Sequence, residues 1–151
     1  MLPPRREDAF VVFAQRSDAR IDVKVWSAHA QRFFATRLGL TADKRYDGDE
    51  PRTDKATFVV APDGEPPGLR HVFARPSQAD DYALAEAADI AGSGLALLAR
   101  RCGTVWLVVR ETRSNPLALR LAAILASVLL GPILDYSTNE LFGVKTARSK
   151  L

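Results

Sequence analysis

The first ordered pattern in the chain is an unbroken apolar run, Ala9-Phe10-Val11-Val12-Phe13-Ala14, rich in aromatic and β-branched residues. It predicts a buried strand. A polar turn follows over 15–19. Residues 20–25 then alternate, with Ile21, Val23 and Val25 on one side and Asp22 and Lys24 on the other. That period of two predicts a second strand, paired with the first as a hairpin. After Ser27, a candidate N-cap, the period changes. Ala30, Phe33, Phe34 and Leu38 stand at helical spacing, and Gly39 is placed to end the helix.

Residues 41–55 are charged, include Asp47-Gly48-Asp49-Glu50-Pro51, and read as a loop with a short edge strand near Arg45-Tyr46. Residues 57–61 and 69–74 predict strands, separated by a Pro- and Gly-rich turn that neither helix nor central strand tolerates. Ser77 is a candidate N-cap, with Asp80 and Asp81 in the first turn, where acid suits the helix dipole. Leu84, Ala87, Ala88, Ala91, Leu95 and Leu98 keep one stripe in phase, predicting a single helix over 78–101. A break at Gly92-Ser93-Gly94 is the alternative, because each glycine costs about 1 kcal/mol in a helix interior. Residues 104–109 are apolar on both sides and predict a central strand. Asn115 and Pro116 open a last helix, over 117–130, apolar nearly all round except Arg120 and Ser127. Gly131-Pro132 stops it.

From residue 20 onward the order is strand, helix, strand, strand, helix, strand. That is the split βαβ arrangement of a ferredoxin-like α+β domain, here with an extra N-terminal strand and an extra C-terminal apolar helix. Right-handed crossovers put the first two helices on one face of the sheet. The strands are apolar on both sides, so the second face needs cover. The last helix is the expected cover, and a homodimer interface is the alternative. The whole chain, 1–151, reads as one domain, with a flexible N-terminus at 1–8, a charged loop at 41–55 and a polar, basic C-terminal tail at 135–151. Leu141-Phe142 is a docking point within that tail.

The length of 151 residues fits one domain, and 47% hydrophobic with 26% charged residues is a globular composition. Cys102 is the one cysteine, which forbids an internal disulfide and most thiolate zinc sites, and favours a cytoplasmic setting. The start has no apolar h-region and does not read as a signal peptide. Sixteen arginines against five lysines, with abundant alanine, suggest a GC-rich bacterial genome. Residues 117–134 are largely apolar, but a membrane-spanning helix needs about 20 residues without a break. Arg120 and Gly131-Pro132 argue for a buried helix. The final Ser149-Lys150-Leu151 matches a peroxisomal address signal, meaningful only in a eukaryotic source.

Chemistry-bearing patterns are few. Asp22-x-Lys24 resembles the end of the metal-dependent nuclease pattern D…(D/E)-x-K, in which carboxylates hold Mg²⁺ and the lysine helps position water. Asp8 and Asp18 are the candidates for the upstream acid. An exposed strand face bearing two charges is the plainer reading. His71 and Arg75 share one side of their strand with Phe73 and could hold an anion. Asp80, Asp81, Glu86 and Asp89 read as a solvated helix face, and Cys102 as an inert core thiol. His29 and His71 have no metal-site spacing, and no metal or cofactor is expected. The aromatic and basic signature of an RNA-recognition sheet is missing, which argues against a nucleic-acid partner. Arginines 100, 101, 110, 113 and 120 cluster in sequence, but flanking different elements could place them on different sides.

The leading expectation is a non-catalytic protein-interaction or regulatory module, docking a protein partner or a second copy through Trp106, Leu117, Leu121 and Leu125. Acidic residues 47–50 and the basic tail would supply charge complementarity. The alternative is a small enzyme or an anion- or metal-binding protein with a pocket near Asp22, Lys24, His71 and Arg75. Nucleic-acid binding comes third.

Overall fold

A computed structural model describes residues 4–15, 20–41, 55–110 and 116–151. After a 3-10 turn at Arg6–Asp8 come β1 (Ala9–Ala14), α1 (Val23–Phe34), β2 (Thr36–Leu40), β3 (Lys55–Pro62) and β4 (Gly68–Pro76). Then follow α2 (Ala79–Ala88), α3 (Leu95–Arg100), β5 (Thr104–Val109), α4 (Pro116–Leu129), β6 (Ile133–Asp135), β7 (Glu140–Phe142) and α5 (Val144–Ser149). The strands form one seven-stranded sheet in the order β2-β3-β4-β5-β1-β6-β7, with every pairing antiparallel. The protein is α+β, as its sequence implies. β5 lies at the centre of the sheet, in keeping with its two apolar sides.

The connectivity is not the split βαβ order. The expected strand over 20–25 does not form as a strand. Asp22 instead caps α1, its carboxylate accepting from the Val25 N–H. Trp26, Ala30 and Phe34, spaced by four, then make the buried stripe. Val25, placed on one side with Ile21 by the alternation, is 58% exposed while Ile21 is buried. The helix ends early, at Ala35 in the left-handed conformation (φ 49°), so Thr36 to Leu40 is strand where helix was expected.

The long helix expected over 78–101 is two helices. Asp89 holds the break: its carboxylate accepts from the Ser93 N–H, the Ser93 hydroxyl and the Ala96 N–H. Gly92 (φ 65°) and Gly94 (φ 90°) supply backbone angles that other residues resist.

Two cores flank the sheet. On the front, Phe10, Val12, Phe58, Val60, Val72, Trp106 and Val108 meet α1, α4 and α5. Trp26 of α1 packs edge-on to Trp106 at 5.7 Å and stacks on Phe58 at 6.1 Å. On the back, Val11, Phe13, Phe73, Val105, Leu107 and Leu134 meet Ala85 of α2 and Ala99 of α3. The last long helix, α4, therefore joins α1 on the front, and the split α2–α3 pair covers the back. The expected grouping, the first two helices on one face and the last helix on the other, does not occur. The topology gives the reason: α1 links β1 to β2 and α4 links β5 to β6, each a connection between parallel strands, whereas α2 and α3 link the antiparallel neighbours β4 and β5 and take the other face.

The stretch 135–151 is not a free tail. β6, β7 and α5 fold it back, burying Phe142 and Ala147. Gly131 makes the fold-back possible: a Cβ there would lie 1.8 Å from the Phe13 carbonyl oxygen. Residues 42–54, including the acidic 47–50 and the edge strand expected near Arg45-Tyr46, lie outside the described residues, as does the cap expected at Asn115.

Candidate arginine cleft

The residues singled out from sequence do not meet. Asp22 is spent on capping, and Lys24 sits exposed on the first turn of α1, on the front of the sheet. His71 and Arg75 share the back face of β4 with Phe73. His71 Nδ1 and Thr57 Oγ1 are hydrogen-bonded at 2.9 Å across β3 and β4. Arg75 is committed to Asp81, donating through Nη1 at 2.7 Å and Nη2 at 2.9 Å. The D-x-K pair is on a helix, not on the strand the nuclease pattern requires. Among the described residues no group of three or more His, Cys, Asp or Glu is placed to hold a metal ion.

The expected interface residues are interior. Trp106, Leu121 and Leu125 are buried in the front core, and Leu117 is half-buried against it. They pack this chain's own helix on its own sheet and are not a docking surface. The cluster of arginines from sequence also disperses. Arg100 pairs with Glu86, and Arg110 pairs with Asp135 at 3.0 Å while lying over the Phe10 ring.

Two ionic groups serve the fold. Asp81 is fully buried and accepts from Arg75, from Arg6 Nε at 3.1 Å and from the Gln78 N–H at 2.8 Å. Burial alone would push its carboxyl up. The hydrogen bonds from Arg75 and Gln78 and the nearby cations outweigh that and hold it below the usual carboxylate range. Asp135 behaves alike: burial raises it, and Ser137 and Arg110 bring it below its ordinary value. Both pin turns or helix starts to the sheet. Cys102 is buried, and burial pushes its thiol up to about 11, which leaves it unreactive.

Three arginines without an acid partner among the described residues come together elsewhere. At the C-terminal end of α1 a cleft of about 280 Å³ is lined by Arg32, Phe33, Phe34 and Ala35, by Arg120 of α4, and by Arg148 and Leu151 at the end of α5. The three arginines arrive from three helices. Arg120, the single charge on the apolar α4, reaches the end of α1 and donates through Nη1 to the Phe34 carbonyl at 3.0 Å and to Thr36 Oγ1 at 3.2 Å. A cation belongs there, at the negative end of the helix dipole. Its Nε and Nη2 have no acceptor among the described residues. The Arg32 guanidinium lies 5.1 Å from the centre of the Phe33 ring, and that of Arg148 lies 5.2 Å from Phe34. Such contacts orient a guanidinium without consuming its N–H donors. None of the three pairs with a carboxylate among the described residues. Asp63, whose N–H donates to the Ala35 carbonyl, turns its carboxylate to Gln31.

No known family, curated protein or solved structure matches this chain. The chemistry of the cleft therefore rests on its residues alone. His29 stands behind it, between Phe33 (4.7 Å) and Phe34 (6.2 Å), with Nε2 at 2.6 Å from Ser127 Oγ. Burial, then the charge of Arg148, lowers its pKa. The sequence held one pointer to this site: Arg120, the lone charge within an apolar helix. Arg32 and Arg148 belong to no motif, and only the fold brings them to it.

Proposed function

We propose that the protein is a non-catalytic, regulatory binding module and that its recognition element is the arginine cleft, which takes an anionic group. The observation that carries this is three guanidiniums lining one open cleft, none of them paired with a carboxylate among the described residues. Bringing like charges together costs energy, and a bound anion offsets it. Arginine is suited to this because its planar fork bonds oxyanions bidentately.

The lining residues support binding over catalysis. Arginine, phenylalanine, alanine and leucine side chains neither donate nor take up a proton near neutral pH, so the cleft holds charge and does not relay protons. Among the described residues no helix is long and apolar enough to cross a membrane. A lone buried thiol accords with the cytoplasmic setting we propose.

Thermal unfolding in sulfate against chloride at equal ionic strength tests the reading. Occupancy at one hundred times Kd stabilises by about 2.7 kcal/mol, which is roughly 5–10 °C for a chain of this size. The rise is expected in the native protein and lost in the double variant Arg32→Gln, Arg148→Gln. An equal rise in both would mean a general salt effect, and the proposal would fail.

A further inference from the structure

The charge and shape of the cleft narrow the class of anion. We propose that it binds a phosphate monoester carried on a compact organic body with apolar surface, such as a small phosphorylated metabolite. This rests on the reading of the cleft as an anion site.

Three features point this way. The first is charge. A carboxylate brings one negative charge and two oxygens to three guanidiniums. A phosphoryl group brings about −1.5 to −2 at pH 7 and three acceptor oxygens. Only the second offers one oxygen to each of three guanidiniums set on three separate helices. The second is the pre-set donors. Arg120 is fixed by the Phe34 carbonyl and Thr36 Oγ1, and Arg32 and Arg148 rest on aromatic rings. Little side-chain freedom then remains to be lost when a multidentate ligand arrives. The third is the rim. Phe33 is 43% exposed and Leu151 is 40% exposed, and both line the same cleft as the cations. Bare inorganic phosphate would leave that apolar surface uncovered, and an organic body would cover it. A cleft of about 280 Å³ has room for a phosphoryl group and a compact body. It is not a track for a polymer, which needs a basic groove several nucleotides long.

Calorimetric titration with four probes tests this: phenyl phosphate, inorganic phosphate, benzenesulfonate and benzoate, each at pH 7.5 against the native protein and Arg148→Gln. The phenyl phosphate Kd is expected to be at least tenfold lower than that of benzoate and several-fold lower than that of inorganic phosphate. Benzenesulfonate, with three oxygens and one charge, falls between. Phenyl phosphate binding weakens from pH 7.5 to pH 5, as the dianion takes up a proton near pH 6. Arg148→Gln weakens it at least tenfold.

Benzoate bound as tightly as phenyl phosphate would overturn the phosphate assignment and leave the anion cleft standing. Inorganic phosphate bound as tightly as phenyl phosphate would overturn the organic body. No binding by any probe, or binding untouched by Arg148→Gln, would overturn both readings. Oligonucleotides of increasing length are titrated in the same way, and affinity that grows with length beyond a single nucleotide would overturn the small-ligand assignment in favour of a nucleic-acid surface. Circular dichroism of Arg148→Gln, an exposed residue on α5, checks that the fold is retained.

Discussion

Asp81 holds three structural pieces together, since the 3-10 turn, β4 and the start of α2 all end on its carboxylate. Breaking a buried ion pair by removing one partner costs about 3–5 kcal/mol, because the remaining charge is left uncompensated. Asp81→Asn should lose that much in urea unfolding at pH 7. Its lowered pKa fixes the sign of the pH effect. The stabilisation is complete above the ordinary value of 3.8 and is lost as pH falls through the folded-state value below it. The gap between native protein and variant should therefore shrink at pH 3, and a gap that persists there would contradict the account. His29 makes a different test. Its folded pKa is lowered, so the unfolded state takes up a proton first as pH falls below the ordinary 6.5, and stability declines there. Arg148→Gln removes one of the two causes, so the imidazole pKa should rise in an NMR titration while burial keeps it from full recovery. An unmoved pKa would place Arg148 away from His29. Cys102 was legible in the sequence, because an apolar strand flanks it. Asp81 was not, because a carboxylate in a first helical turn reads the same whether it is solvated or bound to two arginines.

Among the elements, β1, β3, β4 and β5 were the legible part, whereas β2 falls where helix was expected and β6 and β7 fall at and beyond the start of the expected tail. β1 and β5 read directly from apolar runs too short for helices, and the β3–β4 hairpin from the proline- and glycine-rich turn between its strands. The helices misled wherever two signals competed. Residues 20–25 alternate like a strand, but Asp22 caps and Trp26, Ala30 and Phe34 pull the segment into α1. The helix stripe from Leu84 to Leu98 stays in phase across Gly92 and Gly94, yet both glycines have positive φ. Substitution separates the two possibilities. In one continuous helix Gly92→Ala would gain about 1 kcal/mol. With Gly92 in the left-handed region it should instead lose roughly 1–2 kcal/mol. Thermal unfolding of Gly92→Ala and Gly94→Ala reads the sign, and stabilisation by either would contradict the break between α2 and α3.

For the whole molecule, the apolar strands demand cover on both faces, and the chain supplies it from within: α1, α4 and α5 in front, α2 and α3 behind. That internal cover removes the argument for docking through α4. It also explains why the cleft was invisible in sequence. Its arginines are separated by 88 positions between Arg32 and Arg120 and by 28 between Arg120 and Arg148, and only the packing of three helices on one face joins them. The candidate pocket of Asp22, Lys24, His71 and Arg75 failed for the same reason in reverse, since its members stand on opposite faces of the sheet.

The central claim is that these three arginines act as one anion site, and guanidinium NMR tests it most directly. On titration with phenyl phosphate, the Nε–Hε resonances of Arg32, Arg120 and Arg148 should move together along one binding curve, while the ion-paired Arg75, Arg100 and Arg110 stay still. Shifts spread over all arginines, or none at the three, would contradict the account.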